Sequence, residues 1–172
     1  MIRSCSIQVM EILAMYGTLE RMSVDEAFVD LSLQKNPEAL VKTILKRIKS
    51  KTGLPSSAGL ATSKLVAKIA SDFEKPEGFT VVVPGMESKF LAPLEIRKMY
   101  GIGPKTASLL NGLGIEKCSD IVSIDIQKLQ PLFGHYSVNL KNKAKGIDNR
   151  PVDPSPWIAK QQGTETTFES DI

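Results

Sequence analysis

Glu20-Arg21-Met22-Ser23-Val24-Asp25-Glu26-Ala27-Phe28-Val29-Asp30-Leu31-Ser32 is the stretch whose reading decides the fold. Met22, Val24, Phe28 and Leu31, with small and β-branched neighbours, read as strand, yet Asp25 and Glu26 stand side by side among them. Successive side chains of a regular strand point to opposite faces, so adjacent carboxylates reach one place only if the chain turns there. The run therefore splits into two strands, Thr18 to Val24 and Ala27 to Ser32, with the acids at the break. Two readings of the pair stay open at this level, a solvated turn or part of a metal site.

Outward from this pair, Ser6 to Met15 carries Ile7, Met10, Ile12, Leu13 and Met15 at near-helical spacing, which predicts a helix with one buried face. Asn36-Pro37 starts a second helix that runs to Lys51, with Leu40, Val41, Ile44, Leu45 and Ile48 as its apolar stripe. Lys42, Lys46, Arg47, Lys49 and Lys51 fill its other side, the usual pattern of a solvated face. After the turn Gly53-Leu54-Pro55, Ser56 to Ala61 reads as a short buried strand. Thr62 or Ser63 then caps a helix with Leu65, Val66, Ile69 and Ala70 on its inner face. Lys75-Pro76-Glu77-Gly78 breaks that helix, and Phe79 to Val83 is a strand. The order suits an α+β unit, a sheet layer covered by helices on one face, over residues 1–83.

Pro84-Gly85 marks a change, and from there to residue 148 the pattern is short helices punctuated by Gly and Pro. Residues 149–162 hold Pro151, Pro154 and Pro156 and read as a stiffened tether. Residues 163–172 look like one strand of a third domain, since a lone strand is not stable. Within the helical part, Gly101-Ile102-Gly103-Pro104-Lys105-Thr106-Ala107 has a mechanical meaning. One helix ends near Met99, a glycine turn exposes backbone amides, and Pro104 opens a second helix that Gly114 closes. The turn amides, the positive end of that helix and the Lys105 charge converge on one place, which suits a phosphate.

Bulk properties set few limits. The chain has 172 residues, enough for a real core, and a net charge of +3, too small to prove a polyanionic partner. Cys5 and Cys118 lack neighbours at metal-ligand spacing, which argues against structural zinc and a disulfide framework and for a reducing setting. No apolar run reaches membrane-spanning length, and the first residues lack a signal-peptide core, so a soluble intracellular protein with no membrane partner is expected. His135 and Trp157 take bland readings, a loop or cap histidine and a ring packed on the surface. Lys141, Lys143 and Lys145 could line a DNA face, but alternation along a helix spreads them around it instead of making one stripe, and they are left out of the site.

Three features now resemble one family in the same order. Ser23-Val24-Asp25-Glu26-Ala27-Phe28-Val29-Asp30-Leu31 is similar to the second catalytic motif of the Y-family translesion DNA polymerases. The segment from Gly59 to Gly78 resembles the helix and lysine motif that follows it, and Gly101 to Gly103 falls where the family's thumb has a helix-hairpin-helix. Gly163 to Phe168 resembles the first strand of the little finger, and the likeness is to the bacterial DinB or DNA polymerase IV branch.

The resemblance implies a partial ferredoxin-like palm at 1–83, an all-α thumb with the helix-hairpin-helix at 84–148, and the start of a little finger at 163–172. It implies template-directed nucleotidyl transfer in DNA damage tolerance, with primer-template DNA and a deoxynucleoside triphosphate as partners and two Mg2+ ions as cofactors. Asp25 and Glu26 match the acids that help hold those ions, Lys75 a triphosphate-contacting lysine, and Lys68 a second basic residue near the site. Gly101, Ile102, Gly103, Lys105 and Thr106 match the DNA-backbone grip. The location implied is bacterial cytoplasm and nucleoid, or the nucleus in a eukaryote.

Nothing in Met1 to Tyr16 matches the family's first palm strand, which bears a third carboxylate, or its fingers, and most of the little finger is unmatched too. Two carboxylates do not fix two hard cations as three do, so the isolated chain is expected not to polymerise. Open sheet edges lead to an expectation of self-association, and a sliding clamp would bind only through regions outside this sequence. The alternative is a non-catalytic module that binds DNA backbone without reading bases.

Overall fold

The computed structural model describes residues 2–156, with side chains from Cys5 onward. The expected strand at 163–172 and Trp157 lie outside the described residues. Helix α1 (Ile2–Ala14) buries Met10 and Ile12, while Ile7 and Met15 of the expected stripe are exposed, Met15 because it lies past the helix end. Strand β1 (Thr18–Arg21) pairs antiparallel with β2 (Ala27–Asp30), Thr18 opposite Asp30 and Arg21 opposite Ala27.

The break between these strands is longer than the sequence suggests. Strand β1 stops at Arg21 and not at Val24, because the amides of Met22 and Ser23 both donate to the Glu26 carbonyl, at 2.9 and 3.2 Å, and close the chain into a loop. The turn is therefore residues 22–26, with the acids on its returning limb.

Helix α2 (Pro37–Thr52) begins where Asn36 accepts from the Ala39 amide at 3.2 Å and ends at Gly53, whose φ of 69° lets its amide return to the Lys49 carbonyl. Strand β3 (Ala58–Leu60) leads to α3 (Lys64–Phe73), capped by Ser63, and β4 (Phe79–Val81) follows. Strands β3 and β4 pair in parallel, extended at either end by Ala58 donating to Gly78 and Val82 to Leu60.

The sheet is not one layer. Strands β1–β2 and β3–β4 form two separate two-stranded ladders, so β2 and β3 each have one hydrogen-bonded neighbour among the described residues. Helix α1 packs on β1, β2 and α2, whereas β3 is touched by both α2 and α3.

Beyond Pro84 come α4 (Glu87–Leu91), a 3-10 turn (Ile96–Lys98), α5 (Pro104–Gly112), α6 (Cys118–Ser123), α7 (Ile126–Phe133) and α8 (Tyr136–Ala144). Their one extended contact is a bridge between Glu95 and Lys117. Two cores hold the molecule. The smaller joins Ile12 of α1 to Ile44 and Ile48 of α2. The larger runs from Leu65, Val66, Ile69 and Ala70 of α3 through Leu91, Leu110, Leu129 and Leu140 to Ala144. Each fully buried leucine contributes about 1.5–3 kcal/mol, so this shared core adds to the packing of α3 on its own strands.

Polar bonds stitch the end of the described chain to its first half. The Leu65 amide donates to Asp148 Oδ2 at 3.1 Å, and Arg150 grips the same carboxylate through Nε and an Nη at 2.7 and 2.8 Å. Glu20 Oε2 pairs with Lys64 Nζ at 2.6 Å and accepts the Asp153 amide at 2.7 Å. The first residues of the expected tether are thus held against β1.

Several carboxylates give the fold an acid limit. The amides of Lys117 and Glu116 donate to Asp120 and hold its carboxyl below the usual range. The Arg150 guanidinium does the same for Asp148 against the opposing effect of burial. A carboxyl whose folded pKa is depressed adds stability above its unfolded value of about 3.9 and loses it as pH falls through the lower folded value. The melting temperature should therefore hold from neutrality to about pH 5 and fall below about pH 4, less steeply in Asp120→Asn. A melting temperature that rises on acidification would contradict these bonds.

Candidate functional site

The loop at 22–26 carries Asp25 and Glu26 to the rim of a cleft of about 490 Å³ that runs between the two ladders. Strands β2 and β3 both line it, as do apolar residues of α1 and α2 including Leu13 and Ile44. Asp25, Glu26, Lys68 from α3 and Lys75 from the turn after it line the same cleft. Four residues from three separate segments of the sequence, all expected in one site, are therefore brought into one cleft.

Ion pairs order this rim. Lys68 Nζ lies 2.6 Å from Glu26 Oε1 and 2.9 Å from Asp72 Oδ2, with its side chain only 14% exposed. Burial of the Lys68 ammonium would lower its pKa, but the bonds to Glu26 and Asp72 outweigh it and the net shift is upward, so the lysine stays charged. Lys75 Nζ meets the other Asp72 oxygen at 2.5 Å. Burial alone would raise the Asp72 carboxyl, and its bonds to Lys75 and Lys68 reverse that, holding it below the usual range. Asp25 has a lighter restraint, with Ser23 Oγ donating to its Oδ1 at 2.7 Å.

Asp72, which pairs with both lysines, is the residue that sequence reasoning missed. It sits four residues after Lys68, the spacing that puts two side chains on one helix face, so that half of the signal was present, whereas Lys75 reaches it from the turn beyond the helix end. The Glu20–Lys64 pair, with Lys64 over the Phe28 ring at 5.5 Å from its centroid, was missed for a different reason, since 44 residues separate its members.

The second group of expected residues lies apart from the cleft lining. After the 3-10 turn the chain swings through Gly101, whose φ is 84°, into Gly103 and the Pro104 start of α5. No backbone carbonyl accepts the amides of Gly103, Lys105 or Thr106 among the described residues, so three donors face outward at the positive end of a helix. Lys105 is exposed beside them. Ala107 and Leu110 are buried where α5 crosses its neighbours, and Gly114 turns the chain with a φ of 75°. Ile102 departs from the expected grip. Its amide is taken by the Met99 carbonyl at 3.1 Å and its side chain is 8% exposed, so it packs the hairpin from inside.

An acidic hairpin loop and a lysine-bearing helix face around one cleft, followed by helices with a helix-hairpin-helix, are the arrangement that the resemblance to the Y-family polymerases implies. Residues 1–72 match the model of the impB/mucB/samB family, and residues 84–115 match that of the IMS family HHH motif. Over these two segments the chain is similar to that family.

Among curated relatives it is 39% identical over 158 residues to DNA polymerase IV of Francisella tularensis subsp. holarctica, covering 90% of this chain and 45% of that protein. It is 39% identical over 175 residues to DNA polymerase IV of Clostridium perfringens, covering 99% and 48%. The crystal structure of DinB from Sulfolobus solfataricus superposes with a TM-score of 0.81 at 31% identity over 88% of this chain and 47% of that one. An insertion ternary complex of Dbh DNA polymerase gives 0.81 and 31% over 88% and 46%. The chain thus spans about half the length of the relatives it matches. Among the described residues no helix is long and apolar enough to cross a membrane.

Proposed function

We propose that this chain is the palm-thumb portion of a translesion DNA polymerase, residues 1–83 as palm and 84–148 as thumb, serving template-directed nucleotidyl transfer on primer-template DNA. The observation that carries the reading is the convergence of Asp25, Glu26, Lys68 and Lys75 on one cleft. Asp25 and Glu26 offer hard oxygen donors of the kind Mg2+ requires. They form part of a ligand set and not the whole, because they are two carboxylates and Glu26 is also held by Lys68. When bound, divalent metal supplies charge stabilisation at the attacking and departing oxygens of phosphoryl transfer. Lys68 and Lys75 place positive charge where a deoxynucleoside triphosphate would bring its negative charge. The open amides of Gly103, Lys105 and Thr106 take DNA backbone phosphate, and Gly101 makes the turn that exposes them.

The ion pair of Lys68 with Glu26 favours a second reading for the chain by itself, a binding module whose acids are internally neutralised. Both readings meet in one experiment. The purified chain is given labelled primer-template, deoxynucleoside triphosphates and Mg2+, and both binding and primer extension are followed. Binding that weakens steeply with salt, without extension, is the expected result, and Lys105→Gln should reduce the salt slope by about 0.9. Extension that disappears in Asp25→Ala would overturn the inactivity of the isolated chain. Absence of DNA binding at low salt would overturn the grip.

A further inference from the structure

We propose that Lys143 is a second cation of the DNA-backbone site at the hairpin, contributed by α8. Alternation along the sequence does not single it out from Lys141 and Lys145. In the fold, however, Lys143 Nζ lies only 3.0 Å from where a Cβ on Gly101 would stand, so the ammonium rests on the open face of the first hairpin glycine. Gly101 is exposed and has a φ of 84°, a geometry that keeps side chains away and leaves this space to the lysine.

The surroundings hold the ammonium in place without neutralising it. Tyr136, one helical face away at seven residues, accepts from Lys143 Nζ through its hydroxyl at 3.2 Å. The Tyr136 ring centroid is 5.6 Å from the same nitrogen. Both contacts are to a neutral group, and among the described residues no carboxylate pairs with Lys143, unlike Lys42, Lys49, Lys64, Lys68 and Lys75. Lys141 differs, because it donates to the Ile124 carbonyl inside the helical bundle. One of the three alternating lysines is therefore aimed at the hairpin while keeping its charge for an outside anion.

That anion is a phosphate of duplex DNA. Lys105 follows the open amides in the first turn of α5 and Lys143 rests on Gly101 before them, so each end of the glycine turn carries a cation. The contact is to backbone and carries no sequence preference. This proposal rests on the reading of the hairpin as a DNA grip, and its test separates the two.

Fluorescence anisotropy of two unrelated labelled duplexes is measured with the full chain between about 50 and 200 mM salt, for wild type, Lys105→Gln, Lys143→Gln and Lys143→Arg. The expected result is a loss of about 0.9 in the slope of log affinity against log salt for Lys143→Gln, equal on both duplexes, with Lys143→Arg restoring it. An unchanged slope in Lys143→Gln while Lys105→Gln loses its share would overturn the proposal and leave the grip standing. A wild-type chain that fails to bind either duplex would overturn both. Equal melting temperatures for wild type and Lys143→Gln confirm that any loss reflects charge and not folding.

Discussion

Alanine at Gly59 is expected to cost the chain more stability than truncation of most surface residues could. A Cβ there would stand 2.1 Å from the Ala67 carbonyl oxygen, 2.5 Å from the Ser71 nitrogen and 2.8 Å from the Ala70 Cβ. Two of these are backbone atoms of α3, which cannot step aside as a long side chain would. Nor can the helix retreat as a body, since Leu65, Val66 and Ile69 are locked into the larger core on its far side. The loss should reach or exceed the ~1–3 kcal/mol typical of overpacking, a large part of the ~5–15 kcal/mol that holds a domain together. Gly103→Ala is the matched control, because nothing stands within 4 Å of its Cβ and its φ of −81° suits any residue. Denaturant midpoints for the two variants check this. Near-identical midpoints would show that β3 does not press on α3 as described.

Asp25→Ala is the second change with a large expected effect, on divalent metal. Mn2+ is a paramagnetic stand-in for Mg2+ with the same preference for oxygen donors. Loss of an outer-sphere partner costs a metal site about 10–100-fold in affinity, and loss of a direct ligand should cost no less. Free Mn2+ measured by electron paramagnetic resonance should accordingly rise in Asp25→Ala at equal total metal. Ser23→Ala, which removes only the hydroxyl that donates to Asp25 Oδ1 at 2.7 Å, should have a smaller effect. Equal binding by wild type and Asp25→Ala would place any metal elsewhere.

The features legible in the sequence are those written locally. Asn36-Pro37 and Gly53 bracket α2 because a cap, a ring-fixed φ and a left-handed turn are each properties of a single residue. Gly101, Pro104 and Gly114 disclose the hairpin in the same way. Asp25 beside Glu26 signals a turn, although the loop begins three residues earlier because the Glu26 carbonyl recruits the amides of Met22 and Ser23, a bond that leaves no mark in composition.

The features that were not legible depend on distant partners. Separation into two ladders is decided by which strand finds which, and β3, with three residues, carries too little pattern to declare its neighbour. The larger core crosses Pro84, joining α3 to helices 20 to 80 residues away, a contact that the compositional change at Pro84 does not disclose. Ile102 looked like part of an exposed turn, but a β-branched apolar residue between two glycines was free to turn inward, and it did. Lys143 and Glu20 owe their contacts to residues 42 and 44 positions away in the sequence.

What remains is to see whether metal chooses the cleft that these contacts build. Mn2+ added in small amounts to the isotopically labelled chain broadens amide resonances around wherever it binds. Broadening is expected to centre on Ser23 to Phe28 and reach the Lys68–Asp72 turn of α3, and to be lost in Asp25→Ala. Broadening centred away from the cleft, on Asp148 or Asp153 for example, or unchanged by Asp25→Ala, would contradict that expectation.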